Sequence, residues 1–344
     1  MKVGIIGASG YSGEELVRLL ARHPQAELAV LTSRQMAGQP ASKVFPVLRN
    51  RFPGLLITAS DASTLAADGQ IGLYFLALPH GVSVEYAKPL LNAGKHIIDL
   101  SADFRLSSLA RYQEFYGEHH APEMLEAGRY LFPELASAED LRNPLIASPG
   151  CYPTSILMPL IPLAKAGLID PSRIIVSSMS GVSGAGKKVA DTYLYCERNE
   201  SVKAYGIPKH RHLSEIEEQL ELAFGNGVKV QVQFIPHLVP MTRGIASTII
   251  LEPAGHAKPE DAYGAWDKAY AGKPFIGILP AGETPDTADV TGTNRVDFSL
   301  TSDARTGRWI VTSCVDNLLK GASGQAVQLM NLKYGYSETA GLEP

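Results

Sequence analysis

Two residue groupings near the middle of the chain have the types and spacing for covalent chemistry. Leu145-Ile146-Ala147-Ser148-Pro149-Gly150 is a short apolar run that leads into Cys151-Tyr152-Pro153-Thr154, and residues 155–168 are again apolar. Cys151 therefore stands at a strand-to-helix junction, where free N–H groups and the helix dipole favour a thiolate at neutral pH. A lone cysteine is more often a buried small hydrophobe. That reading suits Cys314, inside the apolar run 309–315, whereas Cys196, between Tyr195 and Glu197-Arg198, has no activating context. A cysteine nucleophile needs a proton-handling partner that is distant in sequence and near in space. His210-Arg211-His212 opens the amphipathic stretch 213–222 and supplies an imidazole whose ordinary pKa lies near working pH. A solvated basic helix start is the alternative reading. Pro153 fits the first turn of the cysteine's helix. Pro159 and Pro162 do not fit a regular one and predict a kink or a short helix.

The elements that must position these groups begin at the N-terminus. Val3-Gly4-Ile5-Ile6 reads as a strand, residues 14–23 as a helix stopped by Pro24, and Gly7, Gly10 and Gly13 lie between them as G-x-x-G-x-x-G. Strand, glycine-rich turn and helix form the setting in which backbone N–H groups face a pyrophosphate at a helix N-terminus. An ordinary strand-to-helix turn is the alternative. A second strand, Glu27-Leu28-Ala29-Val30-Leu31-Thr32, follows. An NAD-preferring site places Asp or Glu about 20 residues beyond the glycines. Here that place holds Ser33 and then Arg34, a hydroxyl and a guanidinium that suit a 2′-phosphate, so NADP(H) is expected.

The alternation continues with an apolar strand at 71–78, the loop Pro79-His80-Gly81, a helical stretch at 84–93 and a strand at 95–100. Ser101-Ala102-Asp103-Phe104-Arg105 follows it. Ligands bind beyond the carboxyl ends of parallel strands, although each of these loops alone reads more readily as structural. A second glycine-rich turn, Gly181-Val182-Ser183-Gly184-Ala185-Gly186-Lys187-Lys188, lacks the spacing of an NTP-binding loop but could form a backbone nest for a phosphate or a nicotinamide. Strands are expected at 174–179, 229–234, 244–251 and 309–315, a helix at Pro259–Tyr270, and an amphipathic helix at 316–331. No His, Cys, Asp or Glu cluster has metal-ligand spacing, so no metal is expected.

Composition bounds the class. A chain of 344 residues with 45% hydrophobic residues implies a two-domain globular protein. The net charge of −4 excludes a nucleic-acid-coating protein and, with this apolar content, disorder. The longest strongly apolar stretch is far short of the roughly 20 residues that span a bilayer, and three cysteines are too few for a disulfide framework. The first apolar run stops at Gly7 and Glu14-Glu15 follows, unlike a signal peptide. The expectation is a cytoplasmic protein with neither a membrane nor a nucleic-acid partner.

Taken together, the motifs resemble the N-acetyl-gamma-glutamyl-phosphate reductases of arginine biosynthesis over nearly the whole chain. The matching strings are GASGYSG at 7–13, LALPHG at 76–81, SADFRL at 101–106, PGCYPT at 149–154 and SGVSGAGK at 180–187. HRH with the following SEI at 210–216, GTNR at 292–295 and DNLLKGASGQAVQ at 316–328 complete the set. The chain departs from the family's usual Tyr-Gly-Leu-Pro-Glu at Tyr130-Leu131-Phe132-Pro133-Glu134, and has Ser214 where the family commonly has Pro.

The resemblance implies an α/β architecture like that of aspartate-semialdehyde dehydrogenase. A Rossmann-type NADP-binding domain would comprise 1–148 with 316–344, and an α+β catalytic and oligomerisation domain with a mixed sheet would comprise 149–315. It implies Cys151 as nucleophile and His210 as acid/base, with His212 the other imidazole in question. Arg105, His212, Glu215 and Arg243 become candidate substrate contacts. Gly7, Ser9, Gly10, Tyr11, Ser12, Gly13, Ser33, Arg34, Pro79, Ser183, Gly184 and Asn317 become candidate NADP(H) contacts. The implied reaction takes an acyl phosphate to an aldehyde through a cysteine thioester, releasing inorganic phosphate, in a homo-oligomer (dimer or tetramer). An aminoadipyl phosphate one methylene longer, as in lysine biosynthesis, is the neighbouring substrate. A catalytically silent NADP-sensing protein is the reading from another class.

Overall fold

A computed structural model describes residues 1–59, 61–225 and 227–343. The chain divides into two compact units, Met1–Pro149 with Ala322–Pro344, and Gly150–Gly321.

In the first unit the short apolar runs become strands β1 (Lys2–Ile6), β2 (Glu27–Thr32), β3 (Ile57–Thr58), β4 (Leu73–Leu76), β5 (His96–Asp99), β6 (Arg129–Tyr130) and β7 (Leu145–Ala147). They pair in the order β3-β2-β1-β4-β5-β7-β6, every pair parallel. A parallel sheet is covered on both faces, which is why Leu73-Tyr74-Phe75-Leu76 can be apolar throughout and fully buried. β4 is shorter than the expected 71–78 because pairing with β1 and β5 extends only over Leu73–Leu76. The strand order reverses between β1 and β4, and the loops beyond their carboxyl ends meet at that switch point.

The helix after β1 runs Tyr11–Leu20 rather than 14–23. The Glu14 amide already bonds the Gly10 carbonyl at 2.8 Å, so the glycine turn itself forms the first helical turn. The last segment also departs from expectation. Its α-helix begins at Gly324 and ends at Tyr334, preceded by a π-helical turn at Leu319–Ser323, and it is buried from Gly324 to Asn331 instead of amphipathic. The residues that read as a solvent face are buried with their amides bonded. Gln328 Nε2 donates to Glu134 and Glu338, and Asn331 Oδ1 pairs with His23 Nε2, each at 2.8 Å.

The second unit is built on a mixed sheet of β8 (Ile169–Ser180), β9 (Lys203–Ala204), β10 (Val232–Leu238), β11 (Ile245–Pro253), β12 (Ile276–Ile278), β13 (Val296–Asp303) and β14 (Arg308–Val315). The order is β12-β13-β14-β11-β8-β10-β9. Against it lie the helices Cys151–Lys165, His212–Phe224 and Pro259–Tyr270. Cys151–Lys165 is a single 15-residue helix, not the short one that Pro159 and Pro162 predict, and it is buried from Tyr152 to Ala164. Pro162 has no N–H for the Met158 carbonyl four residues back. The buried Tyr270 hydroxyl donates to that carbonyl instead, and Trp266 Nε1 donates to the Pro159 carbonyl at 2.8 Å. Both donors sit on the Pro259–Tyr270 helix, so the proline-containing helix is completed from outside.

Candidate active site

The glycines of the first turn divide the labour of a dinucleotide cradle. Gly7 has a φ of 89°, and a Cβ there would lie 2.4 Å from the Ala77 carbonyl oxygen. A Cβ on Gly13 would lie 2.3 Å from the Gly7 oxygen and 2.7 Å from Ala8 Cα. Gly10 is different, since a Cβ there would meet only the Gly7 oxygen, at 3.8 Å. The first glycine makes the bend, the third lets helix and strand close up, and the middle one leaves backbone open to a ligand. The residues therefore fit a dinucleotide at the N-terminus of the Tyr11–Leu20 helix. Ser9 and Ser33 hydroxyls meet at 2.8 Å, which joins the turn to the end of β2, and Arg34 is exposed beside Glu85 at 3.4 Å.

The next two loops of this unit are held by buried carboxylates. Asp103 accepts from the Gly81 amide at 2.6 Å and the Ser83 amide at 3.0 Å, fixing the turn that begins at Pro79. Asp99 accepts from the Ser83 and Ser101 hydroxyls, both at 2.7 Å. Burial, reinforced by the neighbouring Asp103 carboxylate, pushes Asp99 up to about 6. Arg105 is buried, and its Nη2 donates to the Leu100 carbonyl at 2.8 Å.

In the second unit Cys151 opens its helix, with Gly150 as the N-cap in extended conformation. The Gly150 amide donates to Glu215 Oε1 at 2.8 Å, and the Gly150 carbonyl accepts from the Thr154 amide and hydroxyl. Glu215 is 1% exposed. Tyr152 is packed edge-on by the rings of His210, His212 and Phe234 at 5.2–5.9 Å, and its hydroxyl meets that of Tyr205 at 3.0 Å. Tyr205 also packs edge-on against His210 at 5.5 Å. Burial, with the Tyr205 oxygen beside it, pushes the Tyr152 phenol well above its ordinary value, and burial pushes Tyr205 up to about 12. Both stay protonated donors.

The same packing takes His210 down to about 4, through burial first and the adjacent Arg211 charge second. His210 Nδ1 accepts from the His212 amide at 3.2 Å. An accepting Nδ1 leaves Nε2 as the protonated nitrogen of the neutral ring. Gly206, with φ of 63°, lies under this ring, where a Cβ would come within 3.0 Å of His210 Cδ2.

The glycine-rich turn after β8 is a short 3-10 segment, Val182–Ala185. Asn317 Nδ2 donates to Ser183 Oγ at 3.0 Å, and Asn317 Oδ1 accepts from the Gly244 amide at 2.8 Å, so the turn that contains Ser183 and Gly184 and the residue after Arg243 share one buried amide. Arg243 Nη1 stands 3.7 Å from the buried carboxylate of Asp316. Cys314 accounts for itself as packing, because burial, with Asp286 and Asp297 nearby, pushes its thiol up to about 12; Cys196 is exposed.

Of the expected site residues, Gly7, Ser9, Gly10, Tyr11, Ser12, Gly13, Ser33, Arg34, Pro79 and Arg105 lie in the first unit. Cys151, Ser183, Gly184, His210, His212, Glu215, Arg243 and Asn317 lie in the second. Tyr205 and Asp316 were not singled out by sequence reasoning, yet each contacts an expected residue or its neighbour. The acidic residues in SADFRL and DNLLKG carried the signal, because a carboxylate in an otherwise apolar or glycine-rich string needs donors. Among the described residues no group of three or more His, Cys, Asp or Glu could hold a metal, and no helix is long and apolar enough to cross a membrane.

Known proteins share this fold and its two domains. Residues 2–143 match the family described as semialdehyde dehydrogenase, NAD binding domain, and 151–317 match semialdehyde dehydrogenase, dimerisation domain. Aspartate semialdehyde dehydrogenase II of Vibrio cholerae has the same fold, with a TM-score of 0.70 at 19% identity over 97% of this chain and 98% of that one. The enzyme of Candida albicans solved with NADP also scores 0.70, at 16% identity over 96% of this chain and 97% of that one. Fold and domains define a nicotinamide-binding oxidoreductase of the semialdehyde dehydrogenase class.

Sequence relatives narrow it further. The N-acetyl-gamma-glutamyl-phosphate reductases of Akkermansia muciniphila and Citrifermentans bemidjiense are 48% and 47% identical, over 99% and 100% of this chain and 98% of each relative. That of Pseudomonas putida is 46% identical over 99% of this chain and 98% of the relative. The chain belongs to the N-acetyl-gamma-glutamyl-phosphate reductase family.

Proposed function

We propose that the protein reduces N-acetyl-gamma-glutamyl phosphate to N-acetylglutamate 5-semialdehyde with NADPH, through a thioester on Cys151, as a soluble cytoplasmic homo-oligomer in arginine biosynthesis. The observation that carries this reading is the seat of Cys151. It opens a buried helix from a Gly150 amide fixed on Glu215, next to the aromatic cluster that holds His210 neutral.

The Cys151 sulfur attacks the acyl carbon, the acyl–phosphate bond breaks, and inorganic phosphate leaves with the electron pair. Covalent capture divides one difficult displacement into two easier steps. When bound, NADPH supplies hydride to the thioester carbon. The resulting thiohemiacetal oxyanion, held by a hydrogen bond from the His210 ring, re-forms its carbonyl as the carbon–sulfur bond breaks, which releases aldehyde and thiolate. A neutral ring with its proton on Nε2 is already arranged to donate that hydrogen bond. Arg243 would bind an anionic group of the substrate, with Arg105 and His212 as further proposed contacts. Glu215 keeps one oxygen on the Gly150 amide, which ties any substrate contact it makes to the position of the nucleophile.

For the cofactor, Gly7, Ser9, Gly10, Tyr11, Ser12 and Gly13 would hold the pyrophosphate, and Ser33 with Arg34 the 2′-phosphate, hence NADP(H) rather than NAD(H). Pro79, Ser183, Gly184 and Asn317 would complete the nicotinamide side. The homo-oligomer is supported by the match of 151–317 to a dimerisation domain.

The test is phosphate-dependent reduction of NADP+ by N-acetylglutamate semialdehyde, run beside the homologue one methylene longer. Faster turnover of the longer substrate would move the protein to aminoadipyl chemistry, and NADPH binding without turnover of either would make it a sensor. Cys151→Ser should bind NADPH and lose turnover; full activity in that variant would sink the thioester.

A further inference from the structure

Asp316 is completely buried, and its two carboxylate oxygens face different segments. Oδ1 accepts the amides of Leu318 and Leu319 at 2.8 and 3.1 Å. Oδ2 accepts the Gly292 amide at 2.9 Å and stands 3.7 Å from Arg243 Nη1. The Asp316 carbonyl accepts the Gly321 amide, five residues on, at 2.9 Å, which leads the chain into the π-helical turn Leu319–Ser323. Such turns recur at functional sites because they redirect one backbone segment without ending the helix. Here the redirected residue is Gly321. A Cβ added to it would fall 2.8 Å from Cys151 Cβ and 3.1 Å from Cys151 Cα. The backbone of the turn therefore lies against the backbone of the nucleophile, with no room for a methyl group.

The turn that supports Cys151 and the guanidinium of Arg243 thus share one rigid acid. We propose that Asp316 is a positioning residue that couples the seat of Cys151 to the orientation of Arg243, setting the distance between the attacking sulfur and a substrate anion. This rests on the roles given above to Cys151 and Arg243. Asparagine at 316 keeps an acceptor for Leu318 and Leu319. It removes the charge facing Arg243 and sets an N–H group against the Gly292 amide. Alanine at 321 keeps Asp316 and disturbs only the Cys151 side.

The experiment compares wild type, Asp316→Asn, Gly321→Ala, Arg243→Gln and the double variant Asp316→Asn/Arg243→Gln. Steady-state kinetics are combined with the pH profile of Cys151 alkylation by iodoacetamide, read peptide by peptide so that Cys196 and Cys314 are counted separately. Asp316→Asn is expected to raise KM for the acyl phosphate about tenfold and leave KM for NADPH unchanged. Gly321→Ala is expected to slow Cys151 alkylation and to cost about 100-fold in kcat, the scale of an ångström-sized misplacement. The double variant is expected to be no worse than Arg243→Gln alone. Strict additivity of the two substitutions would overturn the coupling. So would wild-type alkylation profiles in both Asp316→Asn and Gly321→Ala. If Asp316→Asn fails to fold, judged by loss of NADPH binding, Gly321→Ala decides: slowed alkylation in a protein that binds NADPH supports the seat, and a wild-type profile overturns it. Alkylation needs no substrate, so a wild-type protein inactive on the acyl phosphate would defeat the functional reading and leave this arm standing.

Discussion

The Gly150 amide donates to the buried carboxylate of Glu215 at 2.8 Å, so the residue before Cys151 is held by an acid from the first turn of the helix His212–Phe224. The candidate nucleophile and the His210-Arg211-His212 segment, some sixty residues apart in sequence, are thereby joined through one hydrogen bond. Glu215→Ala would leave a buried amide without its acceptor, at a cost of about 1–3 kcal/mol. Glu215→Gln would keep an acceptor oxygen. Chemical denaturation should show the alanine variant clearly destabilised and the glutamine variant much closer to wild type, with kcat following the same order. Equal loss in both would mean that the charge, not the amide bond, is what matters.

His210 gives the protein a pH dependence with a definite sign. Its folded-state pKa, about 4, lies below the ordinary 6.5 because burial and Arg211 disfavour the charged ring. Between those values the unfolded chain binds a proton that the folded one refuses, so stability falls as pH drops from 6.5 toward 4 and is unaffected by this group above 7. His23, also lowered by burial, adds a slope of the same sign. Melting temperatures recorded across that range should decline more gently in His210→Asn than in wild type. Parallel curves would show that the His210 ring titrates normally.

The Cys151–Lys165 helix makes a prediction about stability alone. Tyr270→Phe keeps the ring and removes the donor that serves the Met158 carbonyl, the acceptor left over by Pro162. The expected loss is about 1–3 kcal/mol, the cost of a buried acceptor without a partner. Denaturant midpoints check it. Replacing Pro162 with Ala in the same background should restore part of the loss, because an alanine N–H can serve the carbonyl from within the helix.

This helix also marks the limit of what the sequence reveals. The strand–turn–helix units were legible because each is local: an apolar run, glycines and a helical pattern within about thirty residues specify the parallel sheet and its binding turn. Pro259–Tyr270 was legible to the residue, through a proline at its first position. The length of Cys151–Lys165 was not, because the donors that complete it come from Trp266 and Tyr270, more than a hundred positions away. The burial of Gln328 and Asn331 escaped for the same reason, since long-range partners turned a polar pattern into a core face. At the candidate site, the place of Cys151 at a helix start was legible from its neighbours. The contacts of Asp316 and Tyr205 were not, because their partners are brought to them only by the fold.

The glycine turn offers the sharpest separation of fold from binding. Gly13→Ala puts a methyl group 2.3 Å from the Gly7 oxygen and 2.7 Å from Ala8 Cα, both backbone atoms that must move. The variant should therefore lose melting temperature as well as NADPH affinity. Gly10→Ala puts its methyl group in open space, with nothing nearer than the Gly7 oxygen at 3.8 Å. Its φ of −75° is one that alanine adopts freely, so stability should stay at wild type. That open space is where a pyrophosphate would approach the backbone, and one methyl group there should weaken NADPH about tenfold or more, since it displaces the ligand from the N–H groups it needs. Fluorescence titration of NADPH beside thermal melting of the two variants checks both halves. If Gly10→Ala binds NADPH as tightly as wild type, the dinucleotide does not lie across this turn.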